Sequence, residues 1–539
     1  MKIKINLILA SLIIAVGGLI LPGWAAVVQP SETKPDQKII GMYIHQHWPY
    51  RHPYAARTWT VEDYRGYASG LKQLGYNTLM IWPLLETMPD PLTLSDQANL
   101  VKIAQVIDML HNELHMRAYL VLCPNIMANE QAKNAPFGLR HFFWSDVRVN
   151  PGDAAAMAKM ITWREQLVRP LAKADGFMII DSDPGGYPGS NNREFADLLL
   201  AHRQMFDRIR PGIEFNYWVL KGWPGYSRFY ETGDLKVSSE EEFHEIFALL
   251  KERDLEPWGL AMHATHGEER LGLASRVLNF RYGRIEAEPS FPLTNFKTSV
   301  EGRGYAYEVA KDLGPRGVMG NAQTHCVQLP NTFAFARGAT GQTLTDADYE
   351  QFADDLIPGQ GRTIFNAWQL LNSTDPAAMN KQADELAGLA DAHLKPGPLR
   401  GLLFNDPRRF VNDLAMMLRF IAAVEALHAA VEANQDILPA FRTLVATATT
   451  WQTQHGYQNA WSYPRMFAAL RKLNVAHINE VLKETWTMKE GAVGFDRVRL
   501  ALARQETTTA RLLGAMQQAL IEMEKQRPQI ENQASSNRR

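Results

Sequence analysis

Between Ile39 and about Thr340, short apolar runs alternate with longer stretches of helical periodicity, and this repeat restricts the fold more than any other feature. An apolar run of strand length without polar alternation reads as a strand buried on both faces, as in a parallel sheet covered by helices. Eight runs fit: Ile39–Ile44, Thr78–Trp82, Arg117–Leu122, Gly176–Ile180, Glu214–Val219, Trp258–Met262, Val277–Phe280 and Gly317–Asn321. Helical segments with polar outer faces lie between them, among them Val61–Leu74, Asn99–Leu114, Ala154–Lys173, Asn192–Arg208 and Glu240–Lys251. Eight strand–helix units over about 300 residues predict an α/β chain with a (β/α)8 barrel at residues 39–344. A doubly wound sheet would compete, but no Gly-rich phosphate-binding turn follows the first strand.

Beyond Thr345 the strand-like runs stop. Helical patterns at Val411–Ala433, Ile437–Gln454, Ser462–Leu482 and Phe495–Gln526 predict an all-helical domain over 345–526. Lys395-Pro396-Gly397-Pro398 forms a turn within it, support is its expected role, and a polar tail occupies 527–539. At the other end, Lys2 and Lys4 precede an almost wholly apolar Ile5–Leu21 and a small-residue Gly23-Trp24-Ala25-Ala26 stretch. This reads as an export signal over 1–26, followed by a linker at 27–38; an uncleaved anchor is the alternative. The mature chain is then expected outside the cytoplasm, periplasmic or extracellular, with no membrane association once the signal is removed. A formal charge of −2 gives no bulk attraction to nucleic acid or anionic membrane. With only Cys123 and Cys326 there is no disulfide framework, so stability must come from a large core.

In such a barrel the chemistry lies at the C-terminal ends of the strands. The residues there are His45, His47 and Trp48; Trp82 and Glu86; Cys123; Asp181 and Asp183; Trp218 and Lys221; His263 and His266; Tyr282, Glu286 and Glu288; and Asn321, Gln323 and His325. The sharpest stretch is "FMIIDSDPGG". Alternation puts Phe177, Ile179, Asp181 and Asp183 on one face, with the two carboxylates about 7 Å apart along an extended strand. Neighbouring carboxylates repel, which raises one pKa and leaves a proton donor beside an anion. Glu86, Glu286 or Glu288 could supply an opposing carboxylate, and the last two could equally pair with Arg281 and Arg284. Trp48, Trp82, Trp218 and Tyr282 offer flat apolar faces suited to a sugar ring, although aromatics also fill cores.

His45-x-His47 could also begin a metal site with His263 and His266, since alternate strand residues share a face. The amidohydrolase pattern it suggests lacks a lysine after the fourth strand, a histidine ending the fifth and an aspartate ending the eighth. The expectation is therefore of no metal or cofactor, with histidines donating to substrate hydroxyls. As a whole, the barrel, its rim residues and the helical region resemble secreted barrel glycoside hydrolases, broadly the β-hexosaminidase and α-glucuronidase groups. In the hexosaminidases a Glu directly follows an Asp at the end of the fourth strand; Asp181-Ser182-Asp183 departs from that pair, so only the position carries over.

The resemblance implies a glycosidase acting on a carbohydrate, with Asp183 as general acid and Asp181 orienting it or the substrate. Glu288 or Glu286 is the opposing carboxylate. Expected substrate contacts are His45, His47, Trp48, Trp82, Glu86, Trp218, Lys221, His263, Tyr282, Asn321, Gln323 and His325. A metal-dependent hydrolase and a non-catalytic carbohydrate-binding protein are the alternatives.

Overall fold

A computed structural model describes residues 37–46, 51–140, 145, 147–181, 191–219, 240–253, 255–262, 270–280, 283–285, 305–322, 328–456, 464–486 and 508–536. Its centre is a closed barrel of parallel strands. In chain order the strands are β1 (Ile39–His45), β2 (Thr78–Trp82), β3 (Arg117–Leu122), a short antiparallel pair β4 (Ile126–Met127) and β5 (Val147–Arg148), then β6 (Gly176–Ile180), β7 (Glu214–Trp218), β8 (Trp258–Met262), β9 (Val277–Phe280) and β10 (Gly317–Asn321). β4 and β5 pair only with each other; the other eight close the barrel in sequence order, β10 returning to β1 with Tyr43 opposite Asn321. The eight predicted strands form this barrel, and the runs were readable because both faces of each strand are buried.

Helices α1 (Val61–Leu74), α2 (Leu94–Asn112), α3 (Ala154–Val168), α4 (Asn192–Ile209), α5 (Glu240–Glu252), α6 (Tyr305–Ala310) and α7 (Leu329–Ala339) lie between and after the strands. α2 starts at Leu94, before the expected Asn99, because Thr93 and Asp96 form a reciprocal capping box that the apolar periodicity does not show. α3 gives way to a 3-10 turn at Arg169–Leu171, where Pro170 lacks the N–H that an α-helical bond would need.

Side chains fill the barrel lumen. Tyr43 on β1 meets Trp218 on β7 at 5.3 Å and Phe280 on β9 at 5.7 Å, and these strands are not neighbours, so the rings touch inside the barrel. Nearer the N-terminal end Arg316 bonds Asn216 at 2.7 Å and pairs with Glu214, which also accepts from Tyr119. Gly259 leaves the space for that guanidinium: a Cβ there would stand 1.7 Å from an Arg316 nitrogen.

The helical region comprises α8 (Asp346–Leu356), α9 (Gly361–Leu370), α10 (Pro376–Ala387), α11 (Pro407–Glu432), α12 (Leu438–His455), α13 (Pro464–Lys472), α14 (Ala476–Trp486) and α15 (Thr508–Ser536). The single helix expected at Ser462–Leu482 is two helices, divided where Asn474 adopts φ 54°, a left-handed conformation that Asn tolerates. Buried side chains of α8 to α11 belong to the same apolar cluster as the barrel, whereas the later part of α11 and helices α12 to α15 build a second one. Among the described residues α11 alone is long and apolar enough to cross a membrane; 67% of its most apolar window is buried by neighbours, as in a core helix.

Candidate active site

Parallel strands place all their C-terminal ends on one side, so that side of the barrel is its mouth. The ladder sets which side chains look inward there. Tyr43 and Trp218 face the lumen, and register carries the same orientation to Met80 and Asn321 opposite Tyr43 and to Ala261 opposite Trp218. Trp82, two residues beyond Met80, is inward by alternation.

These inward groups are held by specific bonds. The Trp82 indole donates to Glu86 Oε2 at 3.2 Å, and the backbone N–H of Cys123 donates to Glu86 Oε1. Glu86 thus ties the end of β2 to the end of β3 and is 4% exposed. Burial raises its carboxyl pKa, an effect opposed by the charge of Arg164 and by those two donors. Asn321 accepts the Gly283 N–H at 2.8 Å and so fixes the turn after β9. Trp218 packs against Phe280 with ring centroids 4.2 Å apart and the planes tilted by 34°, giving aromatic surface in the lumen.

Asp181 follows the last residue of β6. Its backbone N–H continues the ladder to the Trp218 carbonyl at 2.7 Å, and the residue is fully buried. Strand alternation predicts that Asp181 shares the face of Phe177, but Phe177 stacks on Phe206 of α4 at 4.7 Å, so that face of the strand looks at the helices. The chain bends at Asp181, beyond the strand, where alternation no longer dictates direction.

Below the mouth lies a polar cluster that the sequence reading missed. Arg164 on α3 donates to the carbonyls of Pro124 at 2.7 Å and Ile126 at 2.9 Å, so it shapes the turn from β3 to β4. It also lies 2.7 Å from His202 Nε2, while His202 Nδ1 lies 2.8 Å from the Leu198 carbonyl. Nδ1 therefore donates, and Nε2 accepts from the guanidinium. Burial and the adjacent cation lower the His202 pKa to about 3. Glu86, Leu122, Ile126, Trp163 and Arg164 line a small crevice beside this cluster. Beside the end of β2, after the neighbouring β1, Arg57 donates to the Gln46 carbonyl at 2.8 Å, and Gln46 donates to the Tyr64 hydroxyl at 3.0 Å. Burial and the nearby Arg140 bring the Arg57 pKa down to about 9.

Of the residues singled out from sequence at the strand ends, Trp82, Glu86, Cys123, Asp181, Trp218 and Asn321 are described, and all are buried at the mouth end of the barrel. His45 is the last residue of β1, and its side chain is outside the described part. His47, Trp48, Asp183, Lys221, His263, His266, Tyr282, Glu286, Glu288, Gln323, His325 and Cys326 lie outside the described residues, as do residues 1–36. Among the described residues no cluster of His, Cys, Asp or Glu could hold a metal. Arg164 and His202 did leave a trace in the sequence, since each interrupts the apolar stripe of its helix.

No protein-family model and no curated protein matches the chain. Solved structures do. A family 89 glycoside hydrolase from Clostridium perfringens aligns over 90% of this chain and 64% of its own, with a TM-score of 0.49 and 9% identity. A GH138 enzyme targeting pectin rhamnogalacturonan II aligns over 85% and 69%, with a TM-score of 0.42 and 9% identity. A GH115 4-O-methyl-α-glucuronidase with specificity for decorated arabinogalactans aligns over 79% and 59%, with a TM-score of 0.40 and 10% identity. Each is a likeness of fold in outline, and the closed barrel stands on its own strand pairing.

Proposed function

We propose that this chain is an exported glycoside hydrolase whose carbohydrate substrate binds at the mouth of the barrel. The observation that carries the reading is Asp181: a fully buried carboxylate at the mouth end of a barrel strand, bonded through its backbone to Trp218. A carboxylate there fits acid/base cleavage of a glycosidic bond, and inward aromatics beside it fit the apolar face of a sugar. Asp183, two residues farther along, is the general acid that protonates the leaving oxygen, and Asp181 orients it. Glu288 or Glu286 is the nucleophile or base on the opposite side. His45, His47, Gln323 and His325 bind hydroxyls, and Trp48, Lys221, His263 and Tyr282 complete the contacts. The apolar N-terminal segment supports export to the periplasm or the medium.

The test is a chromogenic glycoside screen of the mature protein, with and without chelator, repeated on Asp181→Asn and Asp183→Asn. The expected result is chelator-insensitive turnover that both substitutions abolish while glycan binding persists. Binding without turnover in the unsubstituted protein would reduce the reading to a carbohydrate-binding protein. Stoichiometric zinc with chelator-sensitive hydrolysis would replace it with a metal hydrolase.

A further inference from the structure

The loop from β1 to α1 carries His47 and Trp48 in sequence, and its described residues on either side of them are anchored at two places. At one end Gln46 is tied to the barrel: its N–H donates to the Trp82 carbonyl at 3.3 Å and its carbonyl accepts from Arg57. At the other end the anchor is the helical region. The Arg51 backbone N–H donates to the His455 carbonyl at 2.9 Å, and its guanidinium to the Thr453 carbonyl at 2.5 Å. Tyr54 donates its hydroxyl to Asp413 Oδ2 at 2.5 Å, across 359 residues of sequence.

Asp413 is in turn fixed on all sides. Arg409 donates to Oδ2 at 3.2 Å, and His455 Nε2 lies 2.8 Å from Oδ1. His455 Nδ1 is 3.0 Å from the Trp451 carbonyl, and the His455 ring stacks on Trp451 at 4.0 Å. Tyr54, Asp413 and His455 are 1%, 6% and 4% exposed. Three bonded residues of this joint are thus buried together, and in sequence the anchors Gln46 and Arg51 bracket His47 and Trp48.

We propose that Asp413 and His455 are positioning residues: the helical region holds the β1 loop and thereby sets how tightly the mouth binds its ligand. The ligand being a carbohydrate rests on the function proposed above; the hold on the loop does not. Peptide-resolved hydrogen exchange on the full chain tests the hold in Tyr54→Phe, which removes one hydroxyl, and in Asp413→Asn. Arg442→Gln, which breaks an exposed pair with Glu524 elsewhere in the helical region, is the control. Loss of one buried hydrogen bond should speed exchange across 51–57 by about tenfold or more, with peptides of β2 and β3 unchanged. The same variants should weaken glycan binding with kcat preserved, and Asp413→Glu should recover part of the loss.

Loop exchange unchanged in a folded Tyr54→Phe variant would overturn the proposal, and so would an increase spread evenly over the barrel. If no glycan binds the unsubstituted protein, the carbohydrate reading fails while the exchange data still decide the hold on the loop.

Discussion

His202 gives the molecule a calculable sensitivity to acid. It is fully buried between the Leu198 carbonyl and the Arg164 guanidinium, and its pKa falls to about 3 from the ordinary 6.5. The unfolded chain takes up a proton at this residue below 6.5 while the native chain does not. Stability from this group is therefore complete above that value and is lost as pH drops towards 3. At pH 5, with each pH unit worth about 1.36 kcal/mol, the loss is about 2 kcal/mol. His202→Gln keeps an acceptor for Arg164 and removes the titration. Urea unfolding followed by tryptophan fluorescence at pH 7 and pH 5 should show the unsubstituted protein losing about 2 kcal/mol more than the variant. Equal losses in the two would refute a buried neutral imidazole. Only as pH nears 3, where the native imidazole itself takes up a proton beside the Arg164 guanidinium, should that contact break and the turn after β3, whose Pro124 and Ile126 carbonyls Arg164 holds, loosen.

Three further substitutions test the frame of the site. Gly317→Ala places a Cβ at φ +123°, 2.0 Å from the Ile39 carbonyl oxygen, and should cost more than about 3 kcal/mol or prevent barrel closure, read as lost soluble yield or a lowered melting temperature. Arg140→Gln leaves Asp96 buried without its cation and should cost about 3–5 kcal/mol in thermal or urea unfolding, with α2 frayed at its capping box. Glu86 has its pKa raised by burial, so the native state holds its proton more firmly than the unfolded chain does. Its contribution should decline as pH rises past the ordinary 4.5, and Glu86→Gln should lack that decline in the same urea series.

The sequence revealed the strands because a parallel barrel buries both of their faces: six of the eight predicted runs coincide with the observed strands, and Ile39–Ile44 and Glu214–Val219 differ from β1 and β7 by one residue at the C-terminal end. Helix ends were less legible where a side chain or a backbone conformation decides them. The Thr93–Asp96 box starts α2 early, and left-handed Asn474 divides α13 from α14. Direction at strand ends was least legible of all. Alternation is a property of extended strand, and Asp181 sits where extension ends, so its face could not be carried over from Phe177.

The groups that shape the mouth share one sequence character. Arg164 falls on the buried stripe of α3 with Met157, Met160, Ile161, Leu167 and Val168; His202 falls on that of α4 with Leu198, Leu199 and Phe206. Asp413 lies among Phe410, Leu414 and Met417 on α11 in the same way. A charged or polar residue at an apolar position is costly to bury unless it is bonded, so each such interruption implies a partner elsewhere in the fold. The partners are the Pro124 and Ile126 carbonyls for Arg164, the guanidinium for His202, and Tyr54 and His455 for Asp413. In every case the bond leads to, or supports, a loop at the C-terminal end of a strand. At Arg164, His202 and Asp413 the interrupted stripe thus leads to the rim, whereas Arg203 on α4 interrupts its stripe to hold the Ile213 and Pro257 carbonyls ahead of β7 and β8; the interruption signals a buried partner, and the fold decides at which end it lies.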